Sequence, residues 1–396
     1  MERADLVELL SPEGLRLLDS LPPYESAADV VRTVAQLRKQ GHPPGLVATV
    51  LTQSKLRAKA TAKFGPFASR MLFTEAGLEQ ATRLAVAARH AGRYAQADLT
   101  RVADLGCGIG GDAMAMAALE LDVTAVDADE VTAAITSYNL APFANARVVQ
   151  SRAEDVDLGG RDAVYLDPAR RTAGHADTRR LSDPSDWSPK LGFVFELAAR
   201  MPVGVKLGPG VDRALLPDDA EAQWISVDGQ VVEVGVWTGA LARDGIRRAA
   251  LVIKGDEAAE LSAPGDTEDE PTGALGAYLY EPDGAVIRAR LIGDLARSLG
   301  ARMLRHDIAY LTSDDLAPTP FASAFRVLEE LPTKEAELRA ALAKRRIGAL
   351  EIKKRGADVD PAALRKRLKL KGEASGTLVL TRIGARHVAL LVERVA

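Results

Sequence analysis

Between residues 100 and 207 five short apolar runs (101–105, 123–127, 147–149, 163–167, 203–207) alternate with stretches whose apolar residues fall at helical spacing. Runs this short, apolar on both faces, read as strands buried on both sides, and strands of that kind lie parallel with helices as crossovers. The pattern predicts an α/β domain. Asp228-Gly229 between apolar runs at 223–227 and 231–238 predicts a hairpin, because this dipeptide suits a tight two-residue turn. Upstream, residues 1–95 read as helical, with Leu15, Leu17, Leu18 and Val30, Val31, Val34, Leu37 at three-and-four spacing, punctuated by Pro22-Pro23 and Pro43-Pro44.

The first run ends in V-A-D-L-G-C-G-I-G-G-D over 102–112. Glycines at 106, 108 and 110 let the backbone turn from strand to helix and approach a ligand with no Cβ in the way. Gly106, Gly108 and Gly111 also fit the G-x-G-x-x-G of dinucleotide sites, so the glycines leave an NAD-type oxidoreductase open. Asp104 separates the two: a carboxylate there repels a pyrophosphate and attracts the cationic sulfonium and amino group of S-adenosylmethionine. Asp127, ending the second run, suits the ribose hydroxyls of either cofactor. Together these residues resemble the first motif of the class I S-adenosylmethionine-dependent methyltransferases. The resemblance implies a Rossmann-like core in which Asp104 contacts the methionine part, Gly106, Gly108 and Gly110 underlie the donor, and Asp127 holds the ribose. It puts Arg152 and Ala153 beside the adenine, with Glu154 as the alternative.

Ligands of open α/β sheets bind at the carboxyl ends of the strands. The fourth run ends there in Asp167-Pro168-Ala169-Arg170, which resembles the (Asp/Asn/Ser)-Pro-Pro-(aromatic) motif of enzymes that methylate exocyclic amines of nucleobases. Carried over, Asp167 accepts the amine hydrogens beside Pro168, and Arg170 replaces the aromatic, stacking through its guanidinium or binding phosphate. Arg171, in the Arg-rich stretch that follows, is expected on substrate phosphate, although a solvated surface arginine reads equally well. Lys206-Leu-Gly-Pro-Gly after the fifth run borders the acceptor pocket or forms a plain turn. Phe73, Thr74 and Gln80 either close over the donor or serve as a core side chain and a helix cap. Cys107, the single cysteine, rules out disulfides and iron–sulfur radical chemistry, and its place inside the glycine loop argues against thiolate-based methylation of pyrimidine carbon.

The net charge of −4 hides an asymmetry. Residues 334–396 carry 16 Lys or Arg against 7 Asp or Glu, leaving the rest of the chain strongly acidic. The tail's Glu351-Ile-Lys353-Lys354-Arg355-Gly356 and Asp360-Pro361-Ala-Ala-Leu-Arg365-Lys366-Arg367-Leu368-Lys369 resemble the THUMP-like domain. This implies an RNA partner, tRNA or rRNA, held by Lys353, Lys354, Arg355, Arg365, Lys366 and Lys369; a basic helix docked on the acidic body is the competing reading. The expected organisation is a helical domain (1–95), a methyltransferase domain (96–254), a flexible acidic linker (255–273), an intermediate α/β segment (274–318, with strands at 277–280 and 286–291) and a small α+β THUMP-like domain (319–396). The last is expected to run strand (349–353), helix (361–368), strand (377–381), strand (387–392). With 47% hydrophobic and 27% charged residues, an acidic start and no long apolar run, the chain is expected in the cytoplasm, without membrane or metal. Methylation of a small molecule or protein, or a silent RNA-binding scaffold, remain the alternatives to methylation of an RNA base.

Overall fold

The computed structural model describes residues 1–22, 24, 27–168 and 187–395. They form two compact units, one of Met1–Lys206 with Trp237–Leu241 and one of Leu207–Val236 with Ala242–Ala396.

The first unit opens with helices α1 (Arg3–Leu9), α2 (Pro12–Ser20), α3 (Ala27–Lys39), α4 (Pro44–Phe64), α5 (Glu75–Gln80) and α6 (Leu84–Gln96). Their starts follow local chemistry. The Ser11 hydroxyl accepts from Gly14 N ahead of Pro12, and the Thr74 hydroxyl accepts from Gly77 N, so both caps satisfy a donor the helix leaves over. Strands β1 (Arg101–Leu105), β2 (Asp122–Asp127), β3 (Ala146–Gln150), β4 (Ala163–Leu166) and β5 (Val203–Leu207) then alternate with α7 (Gly111–Ala118), α8 (Glu130–Leu140) and α9 (Leu191–Ala198). The strands run parallel in the order β3-β2-β1-β4-β5, as the alternation predicts. Central β1 and β4 are buried, whereas outermost β3 is largely open. One apolar core runs through the helices and the sheet, from Leu6, Leu46 and Phe64 to Met116, Val123 and Ile135. The expected boundary at residue 95 is therefore no break in packing: the amphipathic faces that look like a separate helical bundle are buried against the α/β layers.

In the second unit β6 (Glu221–Val227) and β7 (Gln230–Trp237) are joined at Asp228-Gly229, both with positive φ, as the turn chemistry predicts. With β8 (Arg248–Lys254) and β9 (Glu257–Ala263) they take the order β7-β6-β8-β9. Strand β9 corrects the expected linker. Its seven residues pair antiparallel with β8 along its full length, because an outermost strand tolerates the Glu, Ser and Ala composition that reads as flexible. Next come β10 (Tyr278–Pro282), α10 (Gly284–Arg288), α11 (Ile292–Ser298), β11 (Arg302–Arg305), β12 (Ile308–Ser313), β13 (Ala322–Leu331), α12 (Glu335–Lys344), β14 (Ile347–Lys354), α13 (Pro361–Leu368), β15 (Ala374–Ile383) and β16 (Arg386–Arg394). Helix α10 replaces the strand expected at 286–291, its start capped by Asp283. Seven strands form a sheet in the order β11-β12-β10-β13-β16-β15-β14, with separate apolar clusters around Leu342 and Leu378 and around Tyr310 and Phe325. Strand β13 pairs with both β10 and β16, so the segments expected as separate at 318/319 share one sheet.

Candidate active site

The carboxyl ends of β1, β2, β4 and β5 bring the expected cofactor and acceptor residues together in the first unit. Gly106 N and Cys107 N donate to Val126 O at 2.8 and 3.0 Å, tying the loop after β1 to β2. Gly108 N donates to Asp127 Oδ2 at 3.1 Å, and Asp129 N donates to Oδ1 at 2.9 Å. Each Asp127 oxygen therefore meets one backbone N–H and keeps lone-pair capacity for another donor. Gly110, at φ +85°, is the N-cap of α7, and a Cβ there would lie 2.9 Å from the Thr136 methyl. A Cβ on Gly108, at φ +55°, would meet nothing within 4 Å.

Asp104 is 1% exposed, and neither carboxylate oxygen has a hydrogen-bond partner among the described residues. Burial first, then the charges of Asp112 and Asp167, raise its pKa well above the carboxylate range, while Lys206 opposes the shift. A buried acid with both oxygens unmatched calls for a cation or donors from a ligand. Together with the open space at Gly108, the residues present fit S-adenosylmethionine.

At the end of β4, Asp167 forms an ion pair with Lys206 of β5, and its backbone carbonyl lies 3.4 Å from where a Gly106 Cβ would sit. The acceptor corner thus abuts the glycine loop. Lys206 Nζ also donates to Thr82 Oγ1 at 3.0 Å and Gln80 O at 3.3 Å. Lys63 Nζ binds the carbonyls of Leu78, Glu79 and Ala81 at 2.8, 2.8 and 2.7 Å. Burial, with Lys206 and Arg83 nearby, pulls its pKa down to about 8. Sequence reading gives Lys63 no role and Lys206 only a bordering one, because nothing local reveals that residues 78–82 pass between two lysines. Behind this lies a buried cluster in which His90 Nδ1 meets Asp112 Oδ1 at 2.8 Å and Tyr165 Oη at 3.0 Å.

Other expectations fare unevenly. Phe73 is fully buried, its ring 5.8 Å from Phe64, and Thr74 caps α5, so the core-and-cap reading holds for both. Burial also raises the Cys107 thiol pKa well above its usual range, disfavouring a thiolate. Arg152 is exposed beside Glu154 and Asp155, and Ala153 opens a short 3-10 helix. Pro168 follows β4 and is buried; Ala169, Arg170 and Arg171 lie outside the described residues. In the second unit Lys354, Lys366 and Lys369 are exposed. By contrast, Lys353 Nζ binds Glu281 Oε2 at 2.8 Å and lies 5.6 Å over the Phe325 ring. Arg355 lies over Tyr310, and Arg365 Nε donates to Leu350 O at 2.9 Å. These three cations are engaged within the domain. Among the described residues no helix is long and apolar enough to cross a membrane.

Residues 322–394 match the family model described as THUMP domain-like, and residues 2–60 match one described as a domain of unknown function. An uncharacterized S-adenosylmethionine-dependent methyltransferase of Mycobacterium tuberculosis, found in two strains, is 36% identical over 363 residues, covering 89% of this chain and 97% of the relative. The crystal structure of a candidate methyltransferase from Porphyromonas gingivalis superposes with a TM-score of 0.70 at 20% identity, covering 95% of this chain and all of that one, a likeness of fold. The chain belongs to the S-adenosylmethionine-dependent methyltransferases, with S-adenosylmethionine as its donor, a Rossmann-like class I core behind N-terminal helices, and a small α+β THUMP-like domain at its C-terminal end.

Proposed function

We propose that the protein methylates an exocyclic amine of a base in RNA, tRNA or rRNA. The observation that carries this reading is the Asp167 carboxylate at the end of β4, with its own backbone carbonyl against the glycine loop. Two acceptors on one residue suit the two hydrogens of an exocyclic amine, leaving its lone pair for the donor. In this reading Asp104 takes the cationic part of the donor, Gly106, Gly108 and Gly110 leave it room, Asp127 holds the ribose, and Arg152 and Ala153 border the adenine. Bound, S-adenosylmethionine supplies an electrophilic methyl group on a sulfonium. The amine nitrogen gains that methyl and sheds a proton to Asp167, while the C–S bonding pair stays with sulfur. Pro168 stiffens the turn, and Arg170 and Arg171 serve the base or its phosphate. The THUMP-like match and the exposed Lys354, Lys366 and Lys369 support RNA as the partner.

Mass spectrometry of nucleosides from cells with and without the protein tests this. One N-methylated base should vanish from tRNA or rRNA without the protein and return with the parent chain, but not with Asp167→Ala. An unchanged nucleoside profile overturns the reading.

A further inference from the structure

The ion pair beneath the acceptor corner has a second layer, and this inference rests on the proposed role of Asp167. We propose that Lys206 is a positioning residue for methyl transfer: its ammonium, itself held by the 78–82 loop, fixes the Asp167 carboxylate in the orientation that receives the acceptor amine.

Three observations carry it. The Lys206 side chain is 11% exposed and that of Asp167 30% exposed, so the ammonium is the more buried partner and the carboxylate keeps exposed surface. Among the described residues the ammonium has partners on two segments, Asp167 after β4, and the Gln80 carbonyl and Thr82 hydroxyl on the loop between α5 and α6, which defines its place as one hydrogen bond would not. The loop supplying two of those partners is pinned in turn by Lys63 of α4, through carbonyls 78, 79 and 81. A route of direct contacts therefore runs from the N-terminal helices to the acceptor carboxylate, all within the first unit.

The charges facing Asp167 set the expected pH behaviour. Lys206 approaches from β5 and Asp104 from β1, with Asp112 of α7 beside Asp104 and Lys63 of α4 beyond Lys206. Lys206 is the cation in direct contact among the described residues. Removing an adjacent cation raises a carboxyl pKa by about one to three units. Lys206→Met should then lower kcat more than it raises KM for RNA and move the acid limb of the rate profile up by about one unit. Lys206→Arg, which keeps the charge, should hold the limb in place and recover part of kcat.

The assay uses RNA from cells lacking the protein with radiolabelled S-adenosylmethionine. A readout free of turnover is the carboxyl 13C titration of Asp167, assigned by its loss in Asp167→Asn, whose midpoint should rise in Lys206→Met alone. An unmoved midpoint with folding and donor binding intact overturns the positioning role. If Asp167→Ala retains full activity, the amine reading falls instead, whatever Lys206 does.

Discussion

At the residue scale, the cost of burying Asp104 and its proposed contact with the donor are separable by experiment. Burial raises its pKa well above the ordinary value of 3.8. A carboxyl whose folded-state pKa is raised contributes stability that is fully present below its unfolded value and is lost as pH rises through the folded one. Asparagine has nearly the same shape and never charges. In donor-free protein the melting temperature of Asp104→Asn relative to the parent should therefore move in the variant's favour as pH rises above the ordinary carboxylate range, as differential scanning fluorimetry can follow. Calorimetry on the same variant should show S-adenosylmethionine bound about tenfold to a hundredfold more weakly, since asparagine offers the cationic donor no charge to pair with. The glycine loop divides similarly. Gly108→Ala has open space for its methyl and should cost only about 1–2 kcal/mol for its positive φ, while cutting donor affinity at least about tenfold if the donor lies there. Gly110→Ala, driven against Thr136, should unfold at clearly lower urea, about 2–4 kcal/mol below the parent.

At the scale of elements, legibility follows how local the determining physics is. Helix α13 can be read to the residue because Pro361 begins it and Asp360 caps it, the Asp360 carboxylate accepting from Ala362 N and Ala363 N as the sequence implies. The five parallel strands are readable because burial on both faces of the central ones leaves them almost wholly apolar. Helix α10 is misread as a strand because its Val-Ile pair has high strand propensity, and the cap at Asp283 with packing on β6 and β8 overrides that preference. The clamp on the 71–74 segment leaves no sequence signal at all. Asn139 of α8 accepts from Leu72 N at 2.8 Å and donates to Leu72 O and Ile109 O, while Gln53 of α4 exchanges two bonds with Phe73. Both amides look like ordinary helical polar residues until the fold brings in backbone from other segments. Asn139→Ala strands three buried backbone groups and should lose about 2–4 kcal/mol in urea melts. A loss under about 1 kcal/mol would show the segment is held otherwise.

At the scale of the whole molecule, the charge asymmetry is plain in the sequence, but which cations remain for a partner is not. Several basic residues of the tail are matched by acids: Arg345 with Glu329, Arg346 with Glu373, Arg367 with Glu335 and Arg386 with Glu330. A truncation before β13 is a poor test of the THUMP-like domain, because it removes the neighbour of β10 and opens a new sheet edge. Point variants avoid that damage. Lys354, Lys366 and Lys369 are exposed, so replacing all three by Gln should leave the melting temperature within a few degrees and weaken tRNA binding across sequences alike. Each phosphate that the protein no longer neutralises lowers the slope of log affinity against log salt by about 0.7–0.9, which gives a drop of about 2–3 for the three together. Lys353→Gln makes the contrast. Its ammonium is committed to Glu281 and Phe325, so the variant should lower stability and leave the salt slope unchanged. Filter binding of tRNA over a salt series reads both variants. A triple variant with the parent's slope would move the partner surface away from α13 and leave the THUMP-like match as a statement about fold alone.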